Sequence, residues 1–266
     1  MVQKNTKSDM LSKLKKYSKN DTSYSSIWKY VAKSEFTKEI YKDYFTTFYD
    51  DKNMLSTFSP VMAKNIINFW SEKNDIILDP FSGRTRAIMA NALERNYIGY
   101  EVSKDVTDYM TDRLSKIKLT TNIKILNKDC ATLGEELKGS VVDLIFTCPP
   151  YWNLEKYQSC PGQLSDYTNY KHFLMALHER LTEALKTLKS QKYMCVVVGD
   201  FRYNKQYIPF HNDLIQTMKA NENIDLHDVV VLQNIPFNTA AFYFGSKKKH
   251  KYTAKAHEYL IVWKKK

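Results

Sequence analysis

From Pro60 onward, short apolar runs alternate with segments of helical spacing, and most of the runs stop at a polar or turn-forming residue. Val61–Trp70 has helical spacing, and Asp75–Leu78 (DIIL) is a short strand-like run that halts at Asp79-Pro80. Ala87–Arg95 predicts a helix, followed by a second strand, Tyr97–Tyr100 (YIGY), ending on Glu101. Asp105–Ile117 predicts another helix, and Ile123–Leu126 a third strand ending near Asp129. The fourth, Val141–Phe146 (VVDLIF), is closed by Thr147-Cys148-Pro149-Pro150-Tyr151. A long helix, Tyr170–Leu188, leads to a fifth strand, Tyr193–Val198, which stops at Gly199-Asp200. Pro209–Met218 predicts a helix, and His227–Leu232 and Glu258–Trp263 are strands with no helix between them.

Short apolar strands alternating with helices imply a mostly parallel sheet covered on both faces. The last two strands lack a crossover helix, so they are expected to lie antiparallel, joined by the loop Gln233–His257. In open sheets of this kind ligands bind beyond the carboxyl ends of the strands. Those ends carry Asp79, Glu101, Asp129, Thr147–Tyr151 and Gly199-Asp200. Residues 58–266 therefore predict one α/β domain. Residues 1–57, polar and rich in lysine and tyrosine, predict a basic helical arm with helical stretches near Met10–Tyr17 and Phe36–Phe48.

Composition narrows the class. With 266 residues, 43% of them apolar, the chain can bury a sizeable core. No apolar run approaches the roughly 18 residues of a membrane span. The four cysteines form no CxxC pair and no zinc-type spacing, so no metal is expected and a reducing cytoplasm fits them. The formal charge is +11, and Gly245–Lys266 alone holds eight lysines against one acid. Such a surface attracts phosphate polyanions, although lysine-rich ends also serve only to solubilise.

Two segments carry the chemistry. In Leu78-Asp79-Pro80-Phe81-Ser82-Gly83-Arg84-Thr85-Arg86, a glycine at a strand-to-helix junction allows a tight turn and close approach of a ligand to backbone N–H groups. In Asp143–Trp152 a buried strand ends in two prolines and two aromatics. The prolines hold the backbone extended and offer carbonyls without competing N–H donors; the aromatics can stack on a flat base.

These residues resemble the amino-methylating DNA methyltransferases, which act on cytosine N4 or adenine N6. DPFSG resembles that family's cofactor motif, DPFxGxG, and TCPPYW its catalytic motif, SPPY in cytosine-N4 enzymes and DPPY or NPPY in adenine-N6 enzymes. Phe58-Ser59-Pro60, Val198–Arg202 with Ile208–His211, and His257–Trp263 resemble further family segments, so the likeness spans residues 55–266. It implies a Rossmann-like methyltransferase fold: a mostly parallel seven-stranded sheet with an antiparallel last strand, and S-adenosylmethionine as cofactor. By the resemblance, Phe58, Ser59, Pro60, Phe81, Ser82 and Gly83 would surround the methionine end of the cofactor. Asp79 would meet its ammonium, Glu101 its ribose hydroxyls and Asp129 its adenine amino group. Asp129 also stands where an N-cap would be needed before Ala131–Leu137. Thr147 or Cys148, with the Pro149 carbonyl ahead of Pro150, would bind the target amino group. Tyr151, with Trp152, would hold a flipped base, and Trp152 equally suits packing over the sheet edge.

Two departures stand out. Thr85 occupies the place of the family's second glycine, so the turn must differ there. Cys148 replaces Ser, Asp or Asn; its size and neutrality are nearest serine, which favours cytosine N4 over adenine N6. An RNA base methyltransferase and a catalytically silent nucleic-acid binder are the other readings. Target recognition falls to the arm, to Trp152–Asn169 or to the basic loop Gln233–Ala256. The last carries Phe242, Tyr243 and Phe244 beside Lys247, Lys248, Lys249 and Lys251, a mixture suited to stacking and phosphate contact, and equally to anchoring a long loop. Recognition is expected to be short or relaxed, or to need a partner or a second copy. The resemblance implies DNA modification of the restriction–modification kind.

Overall fold

Every strand-like apolar run forms a strand, and the order of pairing decides where a ligand can enter. A computed structural model of the chain describes residues 25–29, 58–117, 119–139, 141–154, 157–233, 251 and 256–266. Within them β2 (Ile76–Asp79), β3 (Asn96–Tyr100), β4 (Ile123–Leu126), β5 (Val142–Thr147), β6 (Leu188–Val198), β9 (Ile224–Gln233) and β10 (His257–Lys265) join one sheet. An edge strand, β1 (Ile27–Lys29), extends it, giving the order β1-β9-β10-β6-β5-β2-β3-β4. Strands β4, β3, β2, β5 and β6 run parallel. As expected, β10 is antiparallel, both to β6 and to β9.

Six α-helices cover the sheet among the described residues: α1 (Pro60–Trp70), α2 (Arg86–Ala92), α3 (Lys104–Ser115), α4 (Leu133–Glu136), α5 (Tyr170–Thr187) and α6 (Phe210–Met218). A short hairpin of β7 (Phe201–Tyr203) and β8 (Gln206–Ile208) stands apart from the main sheet. The continuous apolar character of the strands follows from burial on both sides. Ile77, Leu144, Phe146, Cys195 and Val197 face a core shared with α1 and α2. Their neighbours Leu78, Ile145, Met194, Val196 and Val198 face the other core, filled by α5 and α6.

One expectation needs correcting. Outside the two stretches expected to be helical, the N-terminal arm adds an unforeseen strand: Ile27, Trp28 and Lys29 pair in parallel with Val231, Leu232 and Gln233. Trp28 is buried in the first core. The sheet therefore has eight strands among the described residues rather than seven. The helices expected at Met10–Tyr17 and Phe36–Phe48 lie outside those residues.

The pairing places a switch point at the centre. From β2 the chain runs outward through β3 and β4, then returns to lay β5 on the other side of β2. The connections leaving β2 and β5 diverge, and a crevice opens between their carboxyl ends.

Candidate active site

The turn after β2 is built around one positively rotated residue, Gly83, with φ of 55°. Thr85, standing where a second glycine was anticipated, needs no such rotation: its φ of −110° and ψ of −42° are ordinary right-handed values ahead of α2. The turn is secured by Arg86 instead. Its buried guanidinium bonds the carboxylate of Asp79 at 2.5 Å and the carbonyls of Phe81 and Ser82 at 2.5 and 3.2 Å. It also lies 5.2 Å from the Phe58 ring and 5.9 Å from that of Phe146, within cation–π range. Burial alone would lower the Arg86 pKa; the charge of Asp79, with lesser help from Tyr97 and Cys148, more than offsets this and raises it.

Asp79 sits at the hub, fully buried. One carboxylate oxygen accepts from the Phe81 N–H at 3.1 Å and from the Thr147 hydroxyl at 2.6 Å. The other accepts from Arg86 Nε and, at 2.8 Å, from the Tyr97 hydroxyl. Tyr97 lies 2.9 Å from the Ser82 hydroxyl, and burial together with Asp79 pushes its phenol well above the usual range. A carboxylate has about four acceptor positions, and all are in use. Three residues expected at the ligand are wholly buried and turned to one another: Asp79 holds Arg86, the Thr147 hydroxyl donates a hydrogen bond to Asp79, and Ser82 braces Tyr97. This hub ties the turn after β2 to the last residue of β5.

Above the hub lies a cavity of about 340 Å³, lined among others by Phe58, Ser59, Phe81, Gly83, Glu101, Asp129, Cys148, Pro149, Pro150, Tyr151 and Glu258. The turns after β2 and β5 thus face one space. Ser59 caps α1 through a 3.4 Å bond from the Met62 N–H, and Pro60, at the helix start, is buried outside the lining. Glu101, following β3, accepts the Gly83 N–H at 3.3 Å and the Ser103 N–H at 2.9 Å, one on each oxygen. Burial raises its pKa, against the lowering effect of those two N–H groups. Asp129 caps the short 3₁₀ turn Cys130–Thr132 and takes a bidentate grip from Arg180, at 2.9 and 2.6 Å. It does so while lining the cavity.

The segment 157–164 was not foreseen as cavity wall. Tyr157, Gln158, Gly162, Gln163 and Leu164 line it. Gly162, at φ of 85°, lies so close to Asp129 that a Cβ there would come within 2.4 Å of its carboxylate; Pro161-Gly162 was the available turn signal.

At the mouth, Cys148, Pro150 and Tyr151 are half-buried. The Tyr151 hydroxyl donates to Glu258 at 2.8 Å. Trp152 is corrected to a packing role: it is buried, gives its indole N–H to the Tyr167 carbonyl at 2.7 Å, and packs against Tyr170, Phe201 and Tyr203. Of the basic-loop residues singled out above, Lys251 is described, as an exposed residue; Phe242, Tyr243, Phe244, Lys247, Lys248 and Lys249 lie outside the described residues.

Comparison with known proteins identifies the family. The family described as DNA methylase, comprising N6 and N4 methyltransferases, matches residues 1–112 and 142–266. Over 58 residues the chain is 43% identical to the orphan methyltransferase M.BamHII of Bacillus amyloliquefaciens, a stretch amounting to 21% of this chain and 22% of that protein. The matched segment thus spans about a fifth of the relative's length. Among solved structures, a putative rRNA methylase from Clostridium thermocellum shares 10% identity at a TM-score of 0.51, covering 80% of this chain and 98% of that one. NSun6 from Pyrococcus horikoshii shares 12% at 0.52, covering 79% and 52%. At such identities the likeness concerns the fold.

Proposed function

Because the chain belongs to the N6/N4 family of DNA methylases, we propose that it transfers a methyl group from S-adenosylmethionine to an exocyclic amino nitrogen of DNA, with cytosine N4 as the target. One observation carries this reading: the glycine turn after β2 and the proline–proline–aromatic turn after β5 open onto the same cavity.

The residues present fit the cofactor. The cavity volume falls within the range of small-molecule sites. Each Glu101 oxygen holds a single backbone N–H and retains room for a hydroxyl donor, as a ribose diol requires. Phe58 and Phe81 offer apolar wall, and Asp129 an acceptor edge for an adenine amino group. When bound, S-adenosylmethionine supplies a sulfonium methyl that is electrophilic without further activation. The chain's task is then orientation. The Pro149 carbonyl, with the Cys148 thiol beside it, accepts hydrogen bonds from the target amine and so directs its lone pair inward. Tyr151 gives the everted base a ring to stack on. Cys148 supports the cytosine assignment, being uncharged and close in size to the serine of cytosine-N4 enzymes. The basic loop 233–256 suits contact with DNA phosphates.

Digestion and nucleoside mass spectrometry of DNA and RNA incubated with the protein and S-adenosylmethionine tests the proposal. N4-methylcytosine in DNA is expected. N6-methyladenine would move the target to adenine, methylated RNA beside unmodified DNA would overturn the choice of DNA, and absence of any product together with absence of cofactor binding by calorimetry would overturn catalysis.

A further inference from the structure

Three adjacent strands converge on one phenol. Tyr151 follows β5, Gly199 follows β6, and Glu258 lies in β10, where the pairing of Tyr259 with Val198 brings Glu258 beside Gly199. The Tyr151 hydroxyl donates to Glu258 at 2.8 Å. Gly199 is the enabling position: a Cβ there would lie 3.0 Å from the Tyr151 hydroxyl and 3.4 Å from Glu258 Cγ. The ring is further held edge-on by Phe201 and Phe210, at centroid distances of 6.3 and 6.0 Å. Both Tyr151 and Glu258 line the cavity.

We infer that Glu258 is a positioning residue: through the Tyr151 hydroxyl, in space left open by Gly199, it presets the ring against which the target base is held. This rests on the methyl-transfer reading above. A ring already fixed needs no ordering when the base arrives, and small displacements of a reacting group lower rates steeply. The carboxylate acts as an acceptor for the phenol, so an uncharged acceptor should substitute for it, while loss of the acceptor or crowding at Gly199 should not be tolerated.

The test is steady-state kinetics on DNA with calorimetry for S-adenosylmethionine, using E258A, E258Q, Y151F, the double variant Y151F/E258A, and G199A. We expect kcat to fall between roughly tenfold and a hundredfold in E258A, with cofactor affinity unchanged. E258Q should recover most of that loss. Y151F should match E258A, the double variant should be no worse than the worse single one, and G199A should reproduce E258A. E258Q as impaired as E258A, with Y151F active, would overturn the inference by showing that the charge acts directly on substrate. So would full kcat in E258A, or multiplicative losses in the double variant. Absence of methylation by the unaltered protein would instead sink the parent reading, which keeps the two failures distinct.

Discussion

Replacing Arg86 by methionine strands the Asp79 carboxylate in a site where neither partner is more than 4% exposed. At their separation of 2.5 Å the gross attraction is ~7 kcal/mol for an effective dielectric constant of about 20. Much of it offsets the desolvation of both groups, and breaking such a pair costs about 3–5 kcal/mol net. Urea unfolding of parent and R86M at pH 7, followed by tryptophan fluorescence and far-UV circular dichroism, measures the difference. A loss below about 1 kcal/mol would refute the view that Arg86 exists to neutralise a buried carboxylate.

The other expectations concern single residues. T147V keeps the side-chain shape but removes a hydrogen bond to a buried carboxylate, so it should lose about 1.5–3 kcal/mol in urea unfolding along with turnover; lost turnover at full stability would mean that the hydroxyl faces substrate after all. Glu101 is raised above the ordinary glutamate range, and hydroxyl donors bind its charged form. Cofactor affinity measured by calorimetry should therefore be full above that raised pKa and weaken, by up to about tenfold per pH unit, as pH falls through it; E101Q should bind less well and lose the slope, and an unchanged slope in E101Q would refute the assignment. Gly162 and Gly139 share a positive φ, of 85° and 83°, but nothing lies within 4 Å of a Cβ at the second. G162A and G139A should each lose about 1–3 kcal/mol of stability from backbone strain, and only G162A should also weaken cofactor binding by displacing Asp129; equal affinities would contradict that placement.

Much of the architecture was legible because burial on both faces writes the central strands as mainly apolar runs, and because polar residues end those runs at the edge where ligands enter. Edge strand β1 was not. Three residues, Ile27-Trp28-Lys29, are too few to show a period, and they sit within a lysine-rich stretch. Residue type also announced chemistry without direction. Asp79 and Thr147 have the groups a ligand would want, but the arrival of Arg86 from the first turn of α2 draws both inward. Trp152 differs from Tyr151 in being buried, with its indole N–H spent on the Tyr167 carbonyl. Glu258 looked like one more polar residue of a closing strand, and only the register of β10 against β6 brings it to Tyr151. The segment 157–164 has no regular periodicity, so its place over Asp129 follows from tertiary contacts alone.

The strand at residues 27–29 has a practical corollary. A shortened chain starting at Phe58 would retain every described side chain that lines the cavity, and would look like a sensible minimal domain. It would nevertheless strip the cover from the outer rim of β9. Val231, whose N–H is bonded to the Ser26 carbonyl at 2.8 Å, would lose that acceptor, and the hollow filled by Trp28 would be uncovered. Bare rims of that sort recruit strands from other molecules. Such a truncation should therefore self-associate as its concentration rises, and any version of the chain meant to stay monodisperse has to begin upstream of Ser25.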